Sequence, residues 1–484
     1  MKKNSFLIIA LSLIVFISAC KKDQGSNTGS GNFDRSSSAG LEDTRDIPNT
    51  TQTLPNVIST NTTLTSDKVW IVNGPTFVTN NATLTVQAGT YIKGVKKPTP
   101  TSKPSFLVIT KGAKLEASGT EANPIVFTSN EAANSRTPGD WGGIVLLGNG
   151  KTNVATTQAV EGMKPEYMTD LGLSTNVVQY GGSVEADNSG TLKYVRIEFA
   201  GDVISEGNEL NGLTLGGVGS ATTLDHIQVS YGADDAFEFF GGSANAKYLV
   251  SYGNNDDDFD FDQGYQGSIQ FAVSVKVPCL AYSPSPNGIE SNNITSPVVV
   301  VDASRLTQPV LSNFTILGQP SAPTAAPFTA SNGALFRVNS AYKVSNSIVA
   351  GFATGANISG ATTSGSFFGN SLVHGFTAAT AGSPFSVTTS TATSTNAFIR
   401  LVNPFNVNIC TVTKPIPDFR YVTAPTPSPA ATGASFSSIS VTHPGGALTA
   451  FDTTPVYLGA FGANTAARWD DNWATYTPQT NPYL

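Results

Sequence analysis

Two consecutive stretches of the sequence, LDHIQVSYGADDAFEFFGG (224–242) and AKYLVSYGNNDDDFDFDQG (246–264), repeat each other. Aligned at a spacing of 22 residues (259 − 237), they place Phe237 on Phe259 and Phe239 on Phe261, with an acidic residue between the two aromatic rings of each stretch. Alternating apolar and polar residues are typical of a β-strand with one buried face. A unit this short cannot bury its apolar face alone and needs a stacked neighbour. The two stretches therefore predict consecutive coils of a β-solenoid.

The repeat continues on both sides of these stretches. Related segments are NGLTLGG (211–217), NGIESNN (287–293), and the pair SNSIVAGF (345–352) and GNSLVHGF (369–376). Nearer the N-terminus, LTVQAGTYIKG (84–94) and LVITKGAKLEASG (107–119) align Leu84 with Leu107. The spacings of 22 to 24 residues (376 − 352 = 24) are shorter than the roughly 40–50 residues of a β-propeller blade. We therefore predict an all-β parallel β-helix.

Several motifs also resemble a known family. GDWGGIVLLGN (139–149), LKYVRIEFAG (192–201) and the two opening stretches are similar to the right-handed parallel β-helix surface lipoproteins of Bacteroidota, which have a pectate-lyase-like fold. The resemblance implies a right-handed solenoid at the cell surface. It implies little about chemistry, because most members of that family have no assigned activity.

The N-terminus predicts a lipid anchor. Lys2 and Lys3 precede the apolar run FLIIALSLIVFIS (6–18), which is shorter than the roughly 20 residues of a membrane span. The following residues complete ISAC (17–20), which resembles a bacterial lipobox. We predict a signal peptide over residues 1–19, lipidation of Cys20 and an outer-membrane location that is surface-exposed.

Composition divides the rest of the chain. Residues 20–66 are rich in Ser, Gly, Asn and Thr, which predicts a flexible tether. We predict the β-helix with its loop insertions over 67–460 and a C-terminal cap over 461–484, where Trp469, Trp473 and Tyr483 would cover the last coil; an aromatic platform for sugar is the alternative. The predicted insertions are rich in Pro, Ser, Thr and Ala and span 278–297, 318–332, 377–396 and 411–446.

Cys279 and Cys410 form a disulfide or remain two free thiols, and the sequence leaves both alternatives open.

The strongest local signal is a concentration of acidic residues. From Arg196 to Asn292 there are three basic and fourteen acidic residues (3 − 14 = −11). The repeat aligns Thr214, Glu238, Asp260 and Glu290 in one column, and Asn211, Asp235, Asp257 and Asn287 in another. Neighbouring strands lie about 4.8 Å apart, where like charges repel by roughly 3.5 kcal/mol at an effective dielectric constant of 20.

A cation would relieve that repulsion. Calcium prefers carboxylate and carbonyl oxygens, and we predict a Ca²⁺ site involving Glu238, Asp258, Asp260 and Glu290. The alternative is solvated turn and strand residues without a metal, in which the column of Asn and Asp forms the side-chain ladder that is common in β-helix turns. No EF-hand or calcium-binding nonapeptide repeat is present.

Three functions remain open. The first is a binding or adhesion module for a polysaccharide or for another outer-membrane protein. The second is a calcium-dependent polysaccharide lyase or a glycoside hydrolase, although no catalytic residue can be named from the sequence. The third is a structural accessory of an outer-membrane transport or secretion complex. The net charge of −7 and a pI of about 5.1 argue against nucleic acid as a partner.

Overall fold

The computed structural model describes residues 45, 47–205, 208–278, 280–294, 300–407, 416–439 and 451–483. Cys20, Cys279 and Cys410 lie outside these ranges, as does the signal peptide over 1–19. Lipidation and the state of the two remaining thiols therefore stay predictions. Within the described ranges no helix has the length and apolar character needed to cross a membrane.

Short strands follow one another from Thr51 onward, interrupted by two short α-helices, α1 (Pro165–Thr169) and α2 (Thr395–Ile399), and by 3₁₀ turns at Thr175–Val178 and Pro429–Ala431. In chain order the strands are β1 (Thr51–Thr53), β2 (Val57–Ile58), β3 (Thr62–Leu64), β4 (Val69–Val72), β5 (Pro75–Val78), β6 (Thr83–Val86), β7 (Tyr91–Gly94), β8 (Phe106–Ile109), β9 (Lys114–Ser118), β10 (Ile125–Ser129), β11 (Ile144–Leu147), β12 (Gly190–Glu198), β13 (Asp202–Ser205), β14 (Asn208–Leu210), β15 (Leu213–Gly216), β16 (Thr223–Ser230), β17 (Phe237–Phe240), β18 (Asn245–Tyr252), β19 (Phe259–Asp262), β20 (Ser268–Val275), β21 (Ile289–Ser291), β22 (Val310–Leu317), β23 (Asn332–Arg337), β24 (Lys343–Ser345), β25 (Ile348–Ser359), β26 (Phe367–Ala381), β27 (Ser386–Ser390), β28 (Leu401–Asn403) and β29 (Asp418–Tyr421).

Parallel pairing sorts these strands into three columns, which we call the first, second and third sheets. The first sheet begins β1, β4, β7, β10 and continues through the C-terminal halves of β12, β16, β18, β20 and β22. The second sheet runs β2, β5, β8, β11, β15, β17, β19, β21, β23 and then into β25. The third sheet begins β3, β6, β9 and continues through the N-terminal halves of β12 to β22. The predicted right-handed parallel β-helix is confirmed.

The register of the central coils agrees with the repeat. Phe237 pairs with Phe259 and their rings stack at 5.3 Å, inside the core that the three sheets enclose. The alignment of Leu84 with Leu107 is wrong. Leu84 belongs to the third sheet, where it pairs with Leu115, while Leu107 lies in the second sheet. The loop between β7 and β8 lengthens that coil and shifts the apparent repeat by one strand.

One residue per coil turns the chain from the third sheet into the first. In the central coils this residue has a positive φ and is usually aromatic: Tyr194, His226, Tyr248 and Phe271, with φ values between 49° and 61°. The Tyr194, His226 and Tyr248 rings stack at 4.4 Å, and Phe271 continues the stack at 5.1 Å. Asn313, Asn346 and Asn370 take over this position in later coils. A left-handed conformation is unfavourable for a non-glycine residue, so stacking across coils offsets part of this cost.

Three predicted boundaries differ from the structure. The segment over 51–64, which we assigned to the tether, forms β1, β2 and β3 and pairs with the next coil, so the β-helix begins before residue 67. The apolar pattern is weak there, because β1 consists of exposed Thr and Gln, and β2 and β3 each bury one residue, Ile58 and Leu64. The 278–297 and 377–396 segments are not wholly insertions, because the first contains β21 and the second contains the end of β26 and all of β27.

The predicted cap is also wrong in position. We call residues 451–483 the strap, because this segment runs back along the outside of the coils toward the N-terminal end. Gln270 exchanges two hydrogen bonds with Asp452, and Gln228 exchanges two with Thr475. Lys93 then donates to the Tyr483 carbonyl at 2.7 Å. Trp473 is fully buried and Trp469 is half-buried, so neither forms an open platform for sugar. The apolar side chains of the strap pack on the flank of the middle coils instead of on the last one.

Candidate metal centre

The outward-facing residues of the second sheet form a line of carboxylates, which we call the acidic ladder: Glu238, Asp260 and Glu290. Strand pairing places Glu238 opposite Asp260 and Asp260 opposite Glu290, as the repeat predicted. The alternation of β17 and β19 requires this, since their phenylalanines point into the core and the intervening acids point out. The coil before them carries Thr214 at this position.

A second row of side chains lies where each coil enters the second sheet. Asp235 accepts a hydrogen bond from the Asp257 backbone N–H at 2.8 Å, Asp257 accepts one from Asn287 N–H, and Asn287 accepts one from Asn332 N–H at 3.0 Å. These residues form a continuous side-chain ladder. Asp and Asn both supply the accepting oxygen, so the negative charge at Asp235 and Asp257 is not needed for this hydrogen bond.

The two rows meet in two groups of carboxylates, and a third group adjoins them at Asp235. Each group offers oxygens that all lie within 4.8 Å of one another: Asp235, Glu238 and Asp260; Asp257, Asp260 and Glu290; and Asp234, Asp235 and Asp256. Asp260 belongs to the first two groups and joins them. Carboxylate oxygens at this density are the ligand set of a hard divalent cation.

A further acid reaches the site from outside the repeat. Residues 148–189 form an insertion between β11 and β12 that contains α1, which the sequence did not reveal. Its apolar side chains, including Tyr167 and Tyr180, pack on the outward face of the early strands of the second sheet. Glu161 from this insertion accepts a hydrogen bond at 3.1 Å from Asn211, which also donates to Glu238. The insertion therefore supplies both a lid over the early coils and one more carboxylate.

The ladder is much less exposed than the sequence indicated. Glu238 is 6 % exposed and Glu290 is 8 % exposed, while Asp260, Asp234 and Asp256 are half-buried. The alternative of solvated residues does not describe these side chains, although the column of Asn and Asp does form the side-chain ladder that the same alternative predicts. We call these three half-buried members the rim of the site, because each residue retains some exposure to solvent.

Burial and mutual repulsion both act on the protonation of these groups. Burial raises the pKa of Glu238 well above its ordinary value, and Glu161 and Asp235 raise it further. Burial likewise raises the pKa values of Asp257 and Asp260, with Glu290 the largest charged contributor to each. Three or more neighbouring carboxylates in a low-dielectric site cannot all carry their charge without a compensating cation.

Basic side chains neutralise the edges of the site and leave its centre negative. Arg337 forms an ion pair with Glu290 and donates to Asn292 at 2.9 Å. Arg196 lies under the strap, where it donates to the Tyr483 hydroxyl, and Lys247 lies in the third sheet. Among the described residues, no Lys or Arg forms an ion pair with Glu238 or Asp260.

The structure brings together three of the four predicted ligands and separates the fourth. Asp258 lies in the turn before β19 and is fully buried, with its carboxylate 3.3 Å from the equally buried Lys276 ammonium group. Ser251 also donates to Asp258. Asp258 is therefore committed to an internal ion pair and is absent from every carboxylate group of the site. Sequence reasoning missed Glu161, Asp234 and Asp256 as contributors.

Two oxygens point to a missing partner. Asp260 Oδ1 and Asn211 Oδ1 are shielded from solvent and accept no hydrogen bond from the residues that the structure describes. A shielded carboxylate or amide oxygen without a donor is costly. Both oxygens are of the kind that Ca²⁺ coordinates, so the donor set fits a cation.

The family follows from the sequence match. A family model of a pectate-lyase-like β-helix domain matches residues 56–415, well over half of the chain. The chain belongs to the pectate-lyase-like β-helix family. No curated protein matches it. Among solved structures, the crystal structure of pectate lyase Pel9A is similar at 14 % identity and a TM-score of 0.37, covering 79 % of this chain and 88 % of that chain.

The site makes the stability of this pectate-lyase-like β-helix depend on pH. The folded-state pKa values of Asp235, Glu238, Asp257 and Asp260 are raised above the unfolded values of about 3.9–4.3. The folded chain therefore binds protons more tightly, and its stability falls as pH rises from about 4 through the folded-state pKa values. In the presence of a chelator, we expect the melting temperature to rise on acidification from about pH 8 to about pH 5. Each unit of difference between the folded and unfolded pKa values corresponds to about 1.4 kcal/mol in the free energy of unfolding.

Circular dichroism melting curves across this pH range test the expectation. Calcium should flatten the dependence, because a bound cation replaces the protons. A melting temperature in chelator that stays constant or falls on acidification would contradict it.

Proposed function

We propose that this chain binds Ca²⁺ on the second sheet and, through it, an acidic polysaccharide. The observation that carries the proposal is a pair of overlapping groups, Asp235 with Glu238 and Asp260, and Asp257 with Asp260 and Glu290, in each of which carboxylate oxygens lie within 4.8 Å of one another. In the described part of the chain, no Lys or Arg forms an ion pair with Glu238 or Asp260. A chain with a net charge of −7 repels a polyuronate. A calcium ion at the half-buried rim converts this repulsion into attraction, since it coordinates carboxylates of protein and polymer together.

The location belongs to the same proposal. The lipobox-like ISAC (17–20) supports lipidation of Cys20 and attachment to the outer membrane, with the β-helix on the cell surface. A surface-anchored β-helix with a polymer-binding face acts as an adhesion or capture module, and the pectate-lyase-like family membership is compatible with a polysaccharide-related role.

Calcium titration of the soluble chain (residues 20–484 with Cys20→Ser) tests the metal. By calorimetry we expect saturable binding, and by thermal melting a stabilisation of about 2.7 kcal/mol at a free calcium concentration of 100 times the dissociation constant. Glu238→Gln combined with Asp260→Asn should abolish both responses. Glu116→Gln, which alters an acid of the third sheet, is the matched control and should behave as wild type.

A second variant separates charge from architecture. Asp257→Asn preserves the accepting oxygen of the ladder, because Asn287 performs that role in the next coil. This variant should fold, become more stable in chelator, and bind calcium more weakly. The absence of any calcium response in wild type would overturn the metal proposal.

Polysaccharide binding is tested by affinity electrophoresis in gels containing polygalacturonate, with calcium or with chelator. We expect retardation with calcium alone, and its loss in the Glu238→Gln, Asp260→Asn variant. Calcium binding without retardation would overturn the polysaccharide step and leave a metal site that stabilises the fold.

One observation favours catalysis as a second candidate. The partly exposed Arg337 lies beside Glu290, and a cationic base next to calcium is what abstraction of a proton from a uronate requires. The test is the absorbance at about 235 nm of the unsaturated product of elimination. A rise that disappears in Arg337→Met but survives in Arg337→Lys would establish a lyase, and a constant absorbance would leave binding alone.

A further inference from the structure

The last coil of the β-helix ends in an open strand edge. β27 pairs with β26 on one side, and among the described residues no strand pairs with its other side. Three of its five residues, Ser386, Thr388 and Thr389, are exposed, unlike the buried strands of the middle coils. A cavity of about 470 Å³ lies along this edge, with Ser386, Val387 and Thr388 on one side and Pro429, Thr432 and Gly433 on the other.

In the part of the chain that the structure describes, this edge is only partly protected, because Pro429, Thr432 and Gly433 face it across the cavity without pairing with it. Solenoid ends and edge strands are normally blunted by charged residues, by proline within the strand or by a covering segment. β27 has the sequence SVTTS, without charge or proline. The strap, predicted to cover this end, lies mainly on the flank of the middle coils and contributes Leu458 to the lining of the cavity.

The absence of charge extends well beyond β27. No Asp, Glu, Lys or Arg occurs between Lys343 and Arg400, a run of 56 residues (399 − 344 + 1) in a chain with 13 % charged residues. This run contains nearly all of the last coils, from β25 through β27 to α2. The C-terminal end of the β-helix therefore presents a neutral, hydroxyl-rich surface, although the whole chain is negative.

We propose that this end is a homodimer interface in which the β27 edges of two copies pair antiparallel. In a two-fold dimer, a residue near the symmetry axis contacts the same residue of the other copy, so a charged residue there would face an identical charge. The uncharged run removes that penalty. A two-fold axis perpendicular to the strands makes the pair antiparallel, and the dimer closes without leaving an edge to polymerise.

The interface is small. It consists of one end of a three-sided coil, so its buried area lies near the roughly 1,000 Å² at which specific association begins. An interface at this lower limit is typical of transient association, so we expect a monomer–dimer equilibrium that depends on concentration. The inference is independent of the acidic ladder, because that site lies on the coils from β15 to β21 and none of its residues occurs in the uncharged run.

Sedimentation velocity of the soluble chain over a wide concentration range tests the proposal. Wild type should shift from monomer to dimer with concentration, while Thr389→Lys should remain monomeric with an unchanged melting temperature at low concentration. Thr51→Lys is the matched control, since it places a lysine on the exposed β1 at the other end of the stack. It should dimerise as wild type does.

Charge complementation makes the test specific. A mixture of Thr389→Lys with Thr389→Glu should form the dimer that neither variant forms alone. A monomeric wild type, a dimer that survives Thr389→Lys, or dissociation by Thr51→Lys would each overturn the proposal. Assemblies longer than a dimer would also overturn it, because they require head-to-tail stacking of opposite ends.

Discussion

Replacing Lys276 with Met is expected to lower the free energy of unfolding by about 3–5 kcal/mol. The Lys276 ammonium group and the Asp258 carboxylate are both fully buried and lie 3.3 Å apart. Lys276 also donates to the backbone carbonyls of Asn254 and Asp256, which fixes the turn that carries the rim of the metal centre. Removing the ammonium group leaves a buried carboxylate whose pKa burial already raises.

Urea denaturation gives the loss, and a double variant identifies its cause. Lys276→Met combined with Asp258→Asn should recover at least half of the lost stability, because the uncompensated charge is removed together with its partner. If the double variant is as unstable as the single variant, packing rather than charge accounts for the effect.

Replacing Trp473 with Ala is expected to cost about 3–5 kcal/mol. The indole is fully buried against the stacked corner residues, with ring centroids 6.0 Å from Tyr194 and 5.5 Å from His226. The substitution leaves a cavity between the strap and the middle coils, where the rigid stack cannot collapse to fill it.

Denaturant unfolding of the variant measures this loss. Val456→Ala is the control, since Val456 lies in the same segment but is 66 % exposed and should change stability by less than about 0.5 kcal/mol. Equal effects of the two substitutions would show that the strap contributes little to the folded state.

The central coils were predictable because the chain there carries no insertion. Between Asn211 and Gly264 each coil follows the last at a nearly constant interval, so equivalent phenylalanines and acids align directly in the sequence. Toward the N-terminus, the loop between β7 and β8 breaks this interval, and a 23-residue match (107 − 84) joined strands of two different sheets. A repeat alignment depends on the number of residues in each coil. Loops change that number without altering the fold, so they shift the alignment.

The candidate site was predictable only where its residues belong to strands. Glu238, Asp260 and Glu290 follow from alternation in β17, β19 and β21. Asp258 precedes β19, and in that turn alternation no longer determines which way a side chain points; it faces Lys276. Glu161 comes from a non-repetitive insertion, which no internal comparison of the sequence can place.

The strap changes how this β-helix is expected to unfold. In a stack of repeats that touch only their neighbours, terminal coils fray independently and unfolding spreads from either end. Here the strap joins Asp452 to Gln270, Thr475 to Gln228 and Tyr483 to Lys93, residues up to 390 positions apart in the chain. Middle coils cannot open without releasing this segment, so we expect one cooperative transition in place of sequential melting. Because these contacts require the strap, we expect the β-helix to gain its full kinetic resistance to unfolding only after residues 451–483 have been synthesised and have packed on the coils.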